Sequence, residues 1–244
     1  MDKALYISMT GAKHNMMAQG VHANNLANAN TNGFRADFAQ ARSMPVYNGE
    51  GYPTRAYALT ENPSTDFSQG PMIQTGNDLD FAIEGEGFIA VQGMDGQEAY
   101  TRSASLQITP QGQLLTGNGF PVLGDGGPVF IPPNSKVDIG ADGTITTTGD
   151  TPLDQAQLDR LRLVKPDMAQ MVKSEDGLFR QKNGAQAPVD GSVRLQSGFV
   201  EGSNVNTITE FTEVLSLSRQ YELSIKMMKT VEGNSEASAR LLQS

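Results

Sequence analysis

The chain begins with a pattern typical of an amphipathic helix. Apolar positions recur at alternating steps of four and three, the spacing of the contact face of a coiled-coil helix. The stripe comprises Leu5, Met9, Ala12, Met16, Gln19, Ala23 and Leu26, of which Gln19 is polar and two are alanine. Gly11 and Gly20 lie within this stripe, and each costs a helix interior about 1 kcal/mol relative to alanine. We therefore expect a helix that depends on packing for its stability, and that ends near Asn30, Asn32 and Gly33.

A second helix is predicted near the other end of the chain. Thr207 and Glu210 have the spacing of a capping box, which would start the helix there. Its apolar stripe comprises Phe211, Val214, Leu215, Ser218, Tyr221, Ile225, Met228 and Val231, and the pattern weakens at Gly233 before Leu241 and Leu242. The two stripes can pair in a hairpin-like coiled coil. The alternative is that both helices simply cover one globular core.

Between the two helices the sequence predicts short strands and tight turns. Asp142 and Gly143 stand between alternating runs, a strong hairpin signal. Predicted hairpins join 88–91 with 99–101, 106–108 with 113–115 and 137–139 with 144–146, and later strands fall at 161–164, 178–179 and 193–195. The predicted fold is α+β, with an N-terminal helix (1–33), an extended connector (34–78), a central all-β domain (79–189), a return connector (190–206) and a C-terminal helix (207–244).

Several motifs along the chain resemble those of flagellar basal-body rod and hook proteins. The first is Asn24-Asn25-Leu26-Ala27-Asn28 with Thr31 and Gly33-Phe34-Arg35, and further matches occur at 79–88, 99–102, 112–114 and 203–206. The resemblance therefore spans nearly the whole chain. Ser103-Ala104-Ser105 departs from the small glycine-containing turn of many relatives, which affects the expected turn geometry.

The resemblance implies a structural subunit of the proximal rod with no catalytic activity and no cofactor or metal. Terminal helices would stack helically with those of neighbouring copies and other rod proteins into an axial shaft that transmits motor torque. The implied location is the periplasm-spanning rod, reached through the flagellar export apparatus. The expected assembly residues are Leu5, Met9, Met16, Ala23, Asn24, Asn25, Leu26, Asn28, Phe34, Asn204, Asn206, Phe211, Leu215, Tyr221, Ile225 and Met228. A distal rod or hook-type subunit is an alternative within the family.

Five asparagines in the terminal motifs allow two interpretations. Asn24, Asn25 and Asn28 lie at the end of the first predicted helix, and Asn204 and Asn206 precede the second. Locally, such amides cap helices and form turns. Alternatively, because each amide both donates and accepts hydrogen bonds, they hold the junction of the two helices and of neighbouring subunits.

Composition and charge narrow the function classes. The 244 residues include no cysteine, so disulfides and thiol chemistry are excluded, and the net charge of −9 disfavours nucleic acid. No apolar run is long enough to span a membrane, and the first residues lack the pattern of a cleavable signal peptide.

The candidate catalytic residues are few. His14 and His22, the two histidines, are eight residues apart and are interpreted as solvated or packed helix residues. Glu84 and Glu86 could suggest a glycosidase carboxylate pair, although alternation along a strand also explains them. A secreted β-rich cell-wall hydrolase or glycan-binding module is therefore the alternative from another class.

Overall fold

The structure is a computed structural model, and it describes residues 3–39, 41–46, 55–60, 64–133, 135–149 and 155–241. Along the chain, two long helices flank a strand-rich middle, which confirms the predicted α+β class. The elements are α1 (Lys3–Ala27), β1 (Asp37–Phe38), β2 (Ala41–Val46), β3 (Arg55–Thr60), β4 (Ser64–Thr65), β5 (Met72–Gln74), β6 (Phe81–Glu84), β7 (Phe88–Gln92), β8 (Glu98–Thr101), β9 (Leu106–Ile108), β10 (Leu114–Thr116), β11 (Leu123–Gly124), β12 (Gly127–Pro128), β13 (Lys136–Ile139), β14 (Thr144–Thr148), β15 (Gln155–Arg160), β16 (Leu163–Val164), a 3-10 turn (Met168–Gln170), β17 (Met171–Lys173), β18 (Phe179–Gln181), β19 (Arg194–Ser197), β20 (Phe199–Glu201) and α2 (Thr207–Leu241).

The chain divides into two compact units. The helical unit comprises Met1–Ala29, Ala36–Asp66 and Val205–Ser244, and the β-rich unit comprises Asn30–Arg35 and Phe67–Asn204. Both are built from segments distant in sequence. The five-part division predicted above stays a prediction.

In the helical unit, α1 and α2 pack against each other. They run antiparallel, because His22 near the end of α1 contacts Glu210 near the start of α2, whereas Gly11 lies beside Ser224 further along. Strands β2 and β3 form an antiparallel hairpin, and β3 packs against α1. Strand β1 pairs with β4. Part of the predicted 34–78 connector is thus strand. Residues 40, 47–54 and 61–63 of that connector lie outside the described residues. Leu242, next to the predicted C-terminal stripe, does so too.

Helix α2 begins one residue after an asparagine cap. Asn206 Oδ1 accepts hydrogen bonds from the backbone N–H groups of Ile208 and Thr209, at 3.1 and 3.2 Å. The predicted capping box at Thr207 and Glu210 is therefore wrong. An asparagine amide oxygen satisfies the same orphan donors as a hydroxyl would, and Glu210 is occupied by contacts with α1. The helix also continues through Gly233 to Leu241.

The β-rich unit is assembled from antiparallel strands around two main apolar clusters. Its largest sheet has the order β16-β7-β8-β18-β17, and a second has the order β13-β14-β15. The predicted hairpins are confirmed as β7–β8, β9–β10 and β13–β14. Strand β13 alternates exposed and buried side chains as its sequence pattern requires, whereas β7 is buried over four consecutive residues.

Strand pairing carries this unit beyond the predicted bounds 79–189. Strand β6 pairs with β19, and β5 pairs with β20. Val193 and Leu195 are buried in the same core as Phe81 and Ile145. The segments that the sequence marks as connectors thus contribute core residues and sheet partners.

Candidate assembly surface and a buried ion network

The face of α1 that meets α2 is offset by one residue from the predicted stripe. Contacts with α2 come from Gly11, His22 and Asn25, whereas the predicted stripe contains the residues that follow them, Ala12, Ala23 and Leu26. One residue corresponds to a rotation of about 100° around the helix axis. The pairing of the helices is confirmed, but the contacting face of α1 is not the one predicted from the apolar spacing.

The offset leaves large side chains of α1 uncovered. Met9 and Met16 are 53% and 65% exposed, and Tyr6 and Met17 are also exposed. Ala23 is exposed as well, Leu5 and Leu26 are half-buried, and Ala12 is buried. The physical reason is that a glycine and two polar residues, Gly11, His22 and Asn25, occupy the face towards α2.

Helix α2 buries none of its side chains fully. Ile225 and Met228 of the predicted stripe are half-buried, together with Val214, Ser218 and Val231. The other predicted members are exposed: Phe211 at 53%, Leu215 at 46% and Tyr221 at 37%. Ile208, Leu223 and Met227, which were outside the prediction, are exposed too. Both helices therefore present apolar side chains to solvent.

Asn25 is the centre of the junction within the helical unit. It is 1% exposed, and its side chain exchanges two hydrogen bonds with the backbone of Asp37, at 2.9 and 3.0 Å. Its Nδ2 also donates to Glu210 Oε2 at 3.3 Å, and the same oxygen lies 2.6 Å from His22 Nδ1. Asn25 thus joins α1, β1 and the first turn of α2.

The other four asparagines have more local roles in the contacts seen. Asn28 Nδ2 donates to the Asn24 carbonyl one helical turn earlier, and Asn24 is exposed. Asn206 caps α2. In the β-rich unit, Asn204 Nδ2 donates to the Ser68 carbonyl at 3.1 Å. A role for these side chains between subunits stays a prediction.

Phe34 lies half-buried in the β-rich unit, beneath a lysine. The Lys173 ammonium is 3.9 Å from the centre of the Phe34 ring, a cation–π contact, and it also donates to the Arg35 carbonyl at 2.8 Å. Phe34 is thus held by residues of its own chain.

The β-rich unit contains a buried ion network of Arg35, Arg102 and Glu201 that the sequence did not predict. Glu201 Oε1 lies 2.6 Å from Arg35 Nη2, and Glu201 Oε2 lies 2.5 Å from Arg102 Nη2 and 2.6 Å from Arg102 Nε. All three side chains are at most 3% exposed. Burial lowers the pKa of Arg102, and the Glu201 carboxylate opposes that shift. Arg102 and Glu201 each stand among uncharged neighbours in the sequence, a signal that could have pointed to them, whereas Arg35 has Asp37 two positions away.

One carboxylate faces two guanidinium groups, so the network carries a net positive charge that backbone carbonyls must solvate. Arg102 donates to the carbonyls of Gly85, Gly87 and Ile83, at 2.8, 2.9 and 3.2 Å. Arg35 Nη1 donates to the Ser68 carbonyl at 2.6 Å. These bonds offset part of the large cost of burying charge.

The described residues offer little for catalysis. No group of three or more His, Asp or Glu side chains among them could hold a metal ion. Glu84 ends β6 and Glu86 lies in the turn that follows, so strand alternation does not explain them, and both are exposed. Glu86 pairs with Lys165 at 3.0 Å. A shallow pocket of about 350 Å³ near Pro110 and Pro132 is lined by apolar and uncharged side chains.

Three family models match successive parts of the chain. Residues 5–35 match the "Flagella basal body rod protein" family, residues 82–147 the "Flagellar hook protein FlgE/F/G D1 domain" and residues 196–241 the "Flagellar basal body rod FlgEFG protein C-terminal" family. The flagellar basal-body rod protein FlgF of Salmonella typhimurium is 39% identical over 99% of both chains. The chain belongs to the family of flagellar basal-body rod proteins.

Other rod proteins show the same relationship at greater distance. FlgF of Caulobacter vibrioides is 35% identical over 99% of this chain and 98% of its own. FlgG of Buchnera aphidicola subsp. Schizaphis graminum is 33% identical over 93% of this chain and 95% of its own. The likeness to FlgF proteins thus extends over the full length of the rod protein described here. Neither of its helices, as far as they are described, combines the length and apolarity needed to cross a membrane.

Proposed function

We propose that the chain is a structural subunit of the proximal rod whose helical unit makes the contacts between copies and with other rod proteins. The observation that carries this proposal is the apolar surface of α1 and α2. Exposed side chains on these helices include Met9, Met16, Phe211, Leu215, Leu223 and Met227. Exposed apolar side chains in this number on two paired helices favour an interaction surface.

The mechanism is mechanical. A contact between different surfaces of neighbouring copies does not close on itself, so it generates helical stacking along an axis. Paired helices would form the inner layer of the shaft, and the β-rich unit would stiffen it from outside. The rod so built would carry motor torque.

Delivery to the rod follows from the same proposal. The subunit would be passed by the flagellar export apparatus and then join rod subunits already in place. A chain without cysteine avoids thiol cross-links during such passage.

Complementation with imaging tests this function. The chain, carrying an epitope within residues 47–54, is expressed in a flagellated bacterium that lacks its own proximal rod subunit of this type. We expect restored swimming, and antibody labelling of purified basal bodies at the rod below the distal segment. Labelling on the hook or the distal rod would contradict the proximal position. Hydrolysis of purified peptidoglycan by the isolated chain would contradict a purely structural role.

A further inference from the structure

The peptide chain passes between the helical and β-rich units four times, after residues 29, 35, 66 and 204. Within the β-rich unit, the segments that lead to these passages lie side by side. Gly33 N–H donates to the Glu201 carbonyl at 2.7 Å, and Gly70 N–H donates to Glu201 Oε1 at 3.0 Å. Asn204 reaches Ser68 with its side chain. Three separate stretches, 33–35, 68–70 and 201–204, are thereby fastened together.

Glu201 is the residue that all these stretches share. Its carboxylate binds Arg35 from the first stretch, the Gly70 amide from the second and Arg102 from β8–β9, while its backbone carbonyl holds Gly33. Gly33 has a φ of 71°, and a Cβ at this position would lie 2.4 Å from Ser103 N. The first stretch is therefore pressed against the backbone that follows Arg102, with no room for a side chain.

We infer that Glu201, Arg35 and Arg102 form a clamp within the β-rich unit that fastens the segments leading to all four chain passages, so that load carried along these segments is borne by the clamp. Stability alone does not require charges here, because a well-packed apolar cluster of similar volume serves a core at least as well. Paired guanidinium and carboxylate groups add fixed directions to the contact. The inference rests on the proposed mechanical function.

Hydrogen exchange on the purified full chain tests the clamp. Glu201→Gln keeps the shape of the side chain and removes its charge. The matched control is Glu98→Gln, since Glu98 is 6% exposed, belongs to the same unit and pairs with Arg162 at 3.2 Å, outside the clamp. We expect the amides of Gly33 and Gly70 to exchange at least about tenfold faster in Glu201→Gln. Gly70 donates to the carboxylate itself, and Gly33 donates to the backbone carbonyl of the residue that the carboxylate holds in place. The β13–β14 hairpin should keep its protection.

Two results would overturn the inference: unchanged protection of Gly33 and Gly70 in Glu201→Gln, or equal loss of protection there in Glu98→Gln. If Glu201→Gln does not fold, the double variant Glu201→Gln, Arg35→Met keeps the buried net charge at its original value and should show the same local acceleration. Protection at the wild-type level in that double variant would equally refute the clamp.

A second measurement links the clamp to load. In complemented cells, swimming speed should fall more steeply with medium viscosity for Glu201→Gln than for Glu98→Gln, and parallel curves would refute the transmission of load. Failure of the proposed function is distinguishable, because the wild-type chain would then not restore swimming at all.

Discussion

Replacing Met16 by glutamate should abolish rod assembly and leave the isolated subunit folded. Met16 lies on the exposed face of α1 and is 65% exposed in the single chain. Glutamate is a good helix former, so α1 itself is not weakened. The substitution therefore separates contacts between subunits from contacts within one.

The magnitude follows from the exposed fraction. Burying a whole methionine side chain contributes about 1.5–3 kcal/mol, so the exposed two thirds of Met16 offers about 1–2 kcal/mol at each subunit contact. Within the chain, only the remaining third is lost, about 0.5–1 kcal/mol. At the assembled contact, an unpaired buried carboxylate adds a cost of about 3–5 kcal/mol. Assembly should therefore suffer far more than folding.

The assay compares Met16→Glu with Met94→Glu in a strain lacking its own subunit. Met94 occupies the β7–β8 turn and is 87% exposed, so the control carries the same chemical change away from the helices. We expect no swimming halo for Met16→Glu, a normal halo for Met94→Glu, and similar denaturation midpoints for both purified proteins. Equal halos would show that this face of α1 makes no contact in the rod.

Three further predictions concern single side chains. Asn25→Ala removes both hydrogen bonds to the Asp37 backbone from a buried site and should lower the free energy of unfolding by about 2–3 kcal/mol, measured by urea denaturation. The control Asn24→Ala changes an exposed side chain and should alter the free energy of unfolding by less than about 0.5 kcal/mol. Equal effects of the two substitutions would contradict the role of Asn25 at the junction. Asn206→Ala removes the α2 cap and should cost about 1 kcal/mol, with earlier loss of helical circular dichroism on heating; an unchanged melting curve would count against the cap. Burial raises the pKa of Tyr100 to about 12, and the neighbouring Glu98 adds to this rise. The Ala187 N–H, which donates to the Tyr100 hydroxyl, lowers the pKa and so opposes it. Because the unfolded chain releases this proton near pH 10, Tyr100 should contribute to stability below about pH 10 and lose that contribution as pH rises towards 12. Tyr100→Phe should lack this part of the alkaline decline, and an ultraviolet titration showing Tyr100 ionising near pH 10 would refute the shift.

Local signals predicted most of the β-rich unit. The Asp142-Gly143 turn and the alternation on either side define β13 and β14 because turn geometry and side-chain period are both short-range properties. The apolar run of β7 also predicted a strand, because a short continuous apolar run is typical of a buried strand. Pairings such as β6 with β19 join residues more than a hundred positions apart, and nothing local encodes them.

The presence of both terminal helices could be predicted from the sequence, but the orientation of α1 could not, and the assembly residues themselves stay a prediction. Spacing located both helices, but the face of α1 was assigned by following methionine and leucine. The residues that face α2 are Gly11, His22 and Asn25. Where small and polar residues set the contact, apolar size is a poor guide to orientation. The bonds of Glu201 to Arg35 and Arg102 were missed because an isolated buried charge reveals its partners only after folding.

The hydrogen bond between Gly33 and Glu201 also has a consequence for the order of folding. His22 and Glu210 are 188 positions apart, and closing so long a loop is entropically costly. Once the β-rich unit has formed, the path from His22 to Gly33 and from Glu201 to Glu210 is only about 20 residues, which reduces the closure cost by about 2 kcal/mol. We therefore expect the β-rich unit to fold first and the two helices to pair afterwards. The surface needed for assembly would then form last in each subunit.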